Sequence, residues 1–145
     1  MVLDPDWIET VRRSPGPYFF VAETVFVYLE ERQVKAALSQ IVRNFPGAGI
    51  AFDTTVRKGI DRGNKDFVRR NMPVRFTWAC EDPREIEGWN IGLRLVESRS
   101  PLDVPDVLKP RLSPAMRTTF YLFRTLVPQL KKGYLFNLFA AQPDA

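Results

Sequence analysis

From residue 16 to 29 the chain reads GPYFFVAETVFVYL, a nearly unbroken run of aromatic, β-branched and small apolar positions. Such composition predicts a strand over 18–22 that is buried on both faces, and therefore a parallel sheet covered by helices. Glu23 interrupts the run, and a carboxylate is costly inside a core unless it is paired. It belongs where the strand ends and a pocket opens. The period then changes. Val34, Leu38, Ile41 and Phe45 recur at helical spacing, with Glu31, Arg32, Lys35 and Arg43 off that stripe, which predicts an amphipathic helix of three to four turns. Pro46-Gly47 ends it, and residues 49–52 read as a second short strand ending at Asp53. Strand, helix, strand in this span is a βαβ unit, with parallel strands and a right-handed crossover.

The flanks are punctuated more than patterned. Asp4-Pro5-Asp6-Trp7 is a helix start, with a cap, a proline at the first helical position and an acid at the positive helix end. Ser14-Pro15-Gly16-Pro17 stops that helix. Residues 54–62 predict a short helix, Gly63-Asn64 a turn, and 76–78 a brief extended piece. Asp82-Pro83 repeats the helix start, and Trp89-Asn90 closes that element. Residues 93–97 alternate as a strand, and four prolines from Pro101 to Pro114 mark a long connection. Met116, Phe120, Phe123 and Val127 return to helical spacing, a stripe that reads first as core and otherwise as the lining of a substrate pocket. Residues 134–139 form the final strand.

Composition narrows the chemistry. The chain has 145 residues, 45% of them hydrophobic and 26% charged, the balance of a soluble globular domain. It has no histidine and a single cysteine, Cys80. That excludes Ser-His-Asp and Cys-His catalysis, an internal disulfide, and zinc sites built on histidine or on several cysteines. Cys80 reads as a small buried residue. No apolar run reaches the roughly 18 residues of a membrane span, and the acidic N-terminus lacks the pattern of a secretory leader, so a cytoplasmic protein is expected. The net charge of +4 is uneven, its basic excess concentrated in residues 57–75. That stretch reads as a solvated surface, and nucleic-acid binding is not expected.

The βαβ reading also yields a functional edge. Ligands of open parallel sheets bind beyond the carboxyl ends of the strands. Glu23 and Asp53 both fall there, either as pocket residues or as caps of nearby loop amides. No GxGxxG or P-loop pattern occurs, and Gly47-Ala48-Gly49 lies between a helix and a strand, the wrong order for cradling phosphate. Strand one also lacks an obvious neighbour on its other side.

The stretch VAETVFVYLEERQVKAALSQIVRNFPGAGIAFDTT resembles the C-terminal half of class I S-adenosylmethionine-dependent O-methyltransferases of the leucine carboxyl methyltransferase type. The nearest branch is the bacterial one of polyketide O-methylation. LDPDW, VAE-x-V-x-x-YL, FPG before FD, DPREIEGW before IGLRLVE, and the closing GYLFNLF carry the likeness across nearly the whole chain. The resemblance implies an α/β fold, the C-terminal half of a Rossmann-like sheet, in which the parallel βαβ is followed by a final strand antiparallel between its neighbours. Residues 1–145 are then one partial methyltransferase domain. It implies S-adenosylmethionine as cofactor and a small-molecule methyl acceptor. Glu23 would hold the amino-acid end of the cofactor. Thr24 would stand beside it, where a glycine or cysteine is usual, and Val2 and Leu3 would lie near the adenine. Tyr28 would pack behind the loop and Asp53 would open the substrate side. No residue is expected to act as a catalytic base and none to bind metal. The glycine-rich cofactor loop and the first three strands have no counterpart, so a truncated enzyme, weak or inactive alone, is expected. The alternative is a non-catalytic interaction protein whose bare strand edge pairs with a second copy or with a separate N-terminal half.

Overall fold

The computed structural model describes residues 6–126 and 133–143. In chain order the elements are α1 (Asp6–Arg12), β1 (Phe19–Ala22), α2 (Glu31–Asn44), β2 (Gly49–Thr55), α3 (Arg57–Arg69), β3 (Leu93–Arg99), α4 (Pro114–Leu126) and β4 (Tyr134–Ala141). Single 3-10 segments lie at Phe26–Tyr28, Pro83–Trp89 and Lys109–Arg111. The sheet order is β1-β2-β4-β3. β1 and β2 are parallel, and β4 inserts antiparallel between β2 and β3. The α/β class, the parallel βαβ and the antiparallel final strand are therefore as the sequence implies.

α2 is the organising helix. Glu30 and Gln33 form a reciprocal capping box at its start, which satisfies donors that the first helical turn leaves free. Val34, Ala37, Leu38 and Ile41 face inward and pack with Phe45, Ile50, Phe52 and Phe139 in one apolar cluster. Each large side chain buried this way contributes on the order of 1.5–3 kcal/mol. Trp7 of α1 stacks on Phe45, and Phe20 of β1 meets the same ring at 5.0 Å. The first helix and first strand are thereby tied to the end of α2.

The structure corrects several expectations. β1 is not buried on both faces: Phe20 and Ala22 turn to the core, whereas Phe19 and Val21 are 61% and 69% exposed. Among the described residues no strand pairs with the outer edge of β1. β2 continues to Thr55, so Asp53 sits within the strand rather than past its end. α3 runs straight through Gly63-Asn64, where a turn was predicted. The reason is packing: the ring of Phe76 lies 2.6 Å from where a Cβ on Gly63 would stand, so only glycine admits it without a shift. Asn64 then clamps the Phe76 backbone, accepting from its N–H at 2.8 Å and donating to its carbonyl at 3.0 Å. Residues 76–78, read as a brief extended piece, belong to no strand or helix; the Thr77 and Trp78 N–H groups both donate to the Val27 carbonyl. The α4 stripe is not core either, because Met116 and Phe123 are about half exposed. The predicted caps Asp4 and Pro5, and Val127 of that stripe, lie outside the described residues. The Asp82-Pro83 start is as expected, with Asp82 accepting from the Arg84 N–H at 3.0 Å. No helix among the described residues is long and apolar enough to cross a membrane.

Candidate functional site

The carboxyl ends of β1 and β2 lie side by side, in register from Phe19 opposite Gly49 to Ala22 opposite Phe52. The chain leaving β1 therefore passes beside Asp53. Glu23 is exposed there, and no hydrogen bond or ion pair engages its carboxylate among the described residues. Thr24 follows with φ +54°. A β-branched side chain in the left-handed region costs on the order of 1–3 kcal/mol and persists only where other contacts impose it. One such contact is short: the Thr24 N–H donates to Asp53 Oδ1 at 2.6 Å. Asp53 is only 7% exposed.

Tyr134, the first residue of β4, pairs with Thr55 and shares the sheet face of Asp53. Burial, the negative charge of Asp53 and hydrogen bonding to that carboxylate push the Tyr134 phenol up to about 12, against a smaller opposing effect of the Thr24 side chain. Glu23 adds to the rise, so its charge also reaches this phenol. Thr24, Asp53 and Tyr134 line one mouth of a cavity of about 440 Å³, whose walls include Val27, Val56 and Phe76. Lys58 and Arg62, one turn apart on α3, line it as well, and neither has an ion-pair partner among the described residues. Gly59 between them lets the helix approach β2: a Cβ there would stand 2.5 Å from the Thr55 methyl.

The structure thus brings Glu23, Thr24 and Asp53 together. Tyr28 stands apart from the cavity; it is exposed and packs on Phe76, with ring centroids 5.2 Å apart. Val2 and Leu3 lie outside the described residues. Sequence reasoning missed Tyr134 and the cations Lys58 and Arg62. The first was hidden as the opening residue of a terminal strand. The other two were absorbed into a general basic stretch, although their i, i+4 spacing places them on one helix face. Burial first, then the charges of Glu85 and Asp82, push the Cys80 thiol up to about 12, so it is no nucleophile. No cluster of histidine, cysteine or acidic residues among the described residues could hold a metal ion.

No protein-family model matches the chain. The tetracenomycin polyketide synthesis O-methyltransferase TcmP of Streptomyces glaucescens is 31% identical over 104 residues, which covers 72% of this chain and 38% of that protein. Among solved structures, a DUF574 family protein from Streptomyces avermitilis superposes with a TM-score of 0.59 at 17% identity, covering 99% of this chain and 53% of its own. A candidate methyltransferase from Thermobifida fusca does so with a TM-score of 0.59 at 19% identity, covering 99% and 52%. These structural likenesses show the fold. The chain spans about half the length of these solved proteins and about two fifths of the curated relative. The likeness carried by VAE-x-V-x-x-YL, FPG and FD is thereby supported: over part of their length, this chain is similar to the polyketide O-methyltransferase-like, S-adenosylmethionine-dependent methyltransferases.

Proposed function

We propose that this chain carries the acceptor-side portion of a cytoplasmic S-adenosylmethionine-dependent O-methyltransferase, acting on a carboxylate or hydroxyl of a small molecule such as a polyketide. The observation that carries the reading is the exposed Glu23 at the carboxyl end of β1, unpaired among the described residues, beside a mostly apolar cavity of about 440 Å³. A free carboxylate at that edge fits the ammonium of the cofactor's amino-acid end. When bound, S-adenosylmethionine supplies an electrophilic methyl group on a sulfonium. The residues here orient and exclude water. Glu23 holds the cationic end, and Val27, Val56 and Phe76 keep the acceptor's surroundings apolar. Lys58 and Arg62 offer positive charge to an ionised acceptor oxygen. Positioning two reactants can supply most of the acceleration, and an ionised acceptor needs no general base.

Because the chain contains no glycine-rich cofactor loop, it binds the cofactor weakly and turns over little or nothing alone. Ligand-observed NMR with S-adenosylmethionine tests both parts. The expected result is binding weaker than micromolar that Glu23→Gln reduces further. Micromolar affinity would overturn the half-site reading, and binding indifferent to Glu23→Gln would overturn the role of that carboxylate.

A second reading follows from the bare β1 edge and its exposed Phe19 and Val21. An exposed strand edge with apolar side chains is a surface made to be covered. On this reading the chain acts non-catalytically, by pairing that edge with a separate N-terminal half. A clean monomer in light scattering at high concentration, unchanged on adding such a half, would count against it.

A further inference from the structure

A buried carboxylate must be satisfied, and the partners of Asp53 explain an oddity in the loop it touches. Three non-glycine residues have positive φ among the described residues: Thr24, Asn71 and Asn90. Asn71 follows the end of α3, and Asn90 closes the 3-10 segment after Trp89. Asparagine is at home in such places, and each conformation is local in origin. Thr24 has no such excuse. It is β-branched and belongs to no helix end, so its conformation must be imposed from outside the loop.

The outside contact is the 2.6 Å bond from its N–H to Asp53 Oδ1. Asp53 in turn faces Tyr134, which β4 delivers by inserting between β2 and β3. Three segments far apart in sequence thus meet at one point. Resting on the reading of Glu23 as the cofactor carboxylate, the geometry points to Asp53 and Tyr134 as positioning residues that latch Thr24 in its left-handed conformation and so aim the Glu23 carboxylate. Asp53 then acts through the cofactor loop rather than on the methyl acceptor. Tyr134 lines the same cavity as Thr24 and Asp53, where burial and the Asp53 charge keep its phenol protonated well above neutrality. The strand β4 thereby bears on the geometry of the loop that follows β1.

Amide hydrogen exchange on the full chain tests the latch without any ligand. Asp53→Ala should accelerate exchange at the Thr24 amide by roughly tenfold or more, the loss expected for a bond to a charged acceptor, while amides of the β2–β4 ladder keep their rates. Asp53→Asn retains an acceptor oxygen and should preserve most of the protection. Should Asp53→Ala fail to fold, Tyr134→Phe removes one hydroxyl only and should accelerate the same amide to a smaller extent. An unchanged Thr24 rate in these variants, or equal acceleration throughout the ladder, would overturn the latch. Titration with S-adenosylhomocysteine, watching the Glu23 side-chain carboxyl by NMR, addresses the underlying reading separately. No perturbation of Glu23 in the unmodified chain would sink the cofactor role and leave the latch standing. Perturbation that weakens in Asp53→Ala and returns in Asp53→Asn would support both.

Discussion

The two faces of the sheet are written in the same alphabet and meet opposite fates. On one face Ile50, Phe52 and Phe139 disappear against α2, with the Phe52 and Phe139 rings stacked at 5.1 Å. On the other, Phe19, Val21 and Phe136 stand 61%, 69% and 46% exposed. Alternation along a strand puts successive side chains on opposite faces. When both sets are apolar, each face calls for a cover. α2 and its neighbours supply one cover; on the other face α3 closes on the end of β2 at Thr55, and Phe19, Val21 and Phe136 stay exposed. The candidate site lies where the difference is sharpest, since Asp53 and Tyr134 occupy the open face yet converge into a cavity at its end. The covered face provides rigidity, and the open face provides access.

Substitutions should separate the two faces by size of effect. The largest is expected for Phe139→Ala on the covered face, about 3–5 kcal/mol of lost stability in denaturant unfolding, from lost transfer energy plus a cavity. A loss under about 1 kcal/mol would show that this face is not the core. Asn137→Leu should follow. That buried amide accepts from the Ser98 hydroxyl at 2.7 Å and donates to Thr54 Oγ1 at 3.0 Å and to the Phe52 carbonyl at 3.2 Å. Removing it leaves buried polar partners stranded, at a cost of about 1–3 kcal/mol in the same assay. Val21→Ser on the open face should change monomer stability by no more than about 0.5 kcal/mol. A larger loss would mean that the face is covered in solution, and light scattering would then identify a second copy as the cover.

The smallest effect near neutral pH belongs to Tyr134. Its folded pKa, about 12, lies above the ordinary tyrosine value of 10. Its contribution to stability is complete below pH 10 and is lost as pH rises from 10 through 12. Ultraviolet titration should show one phenol ionising late, and Asp53→Asn should lower its midpoint only part of the way, since burial, the largest cause, remains. A Tyr134 that titrates near 10 in the unmodified chain would disconnect the phenol from Asp53.

Much of the fold was legible along the chain. The stripe from Val34 to Phe45, the Pro46-Gly47 stop and the Asp82-Pro83 start are local signals, and local hydrogen bonding and sterics carried them into the structure. Glu23 was legible for the same reason, as one charge in an apolar run. What failed were inferences about which side chains an element packs against. Met116 and Phe123 of α4 repeat the spacing of α2 yet remain exposed, because periodicity specifies a face and not its partner. Gly63-Asn64 looked like a turn. There, however, the missing Cβ makes room for the Phe76 ring, and the asparagine bonds a distant backbone instead of its own.

The residue pattern alone established the order of elements, the parallel βαβ, the lack of any histidine to serve as base or ligand and the acidic residue after the first strand, since each is a property of composition or of neighbouring residues. The tertiary structure decided that β1 is the edge strand of the described sheet with Phe19 and Val21 exposed, that Asp53 is buried within β2, and that Tyr134 lines the same cavity. Those facts depend on β4 inserting next to β2. Register between segments some 80 residues apart is set by packing and ladder hydrogen bonds, which no stretch of sequence records by itself.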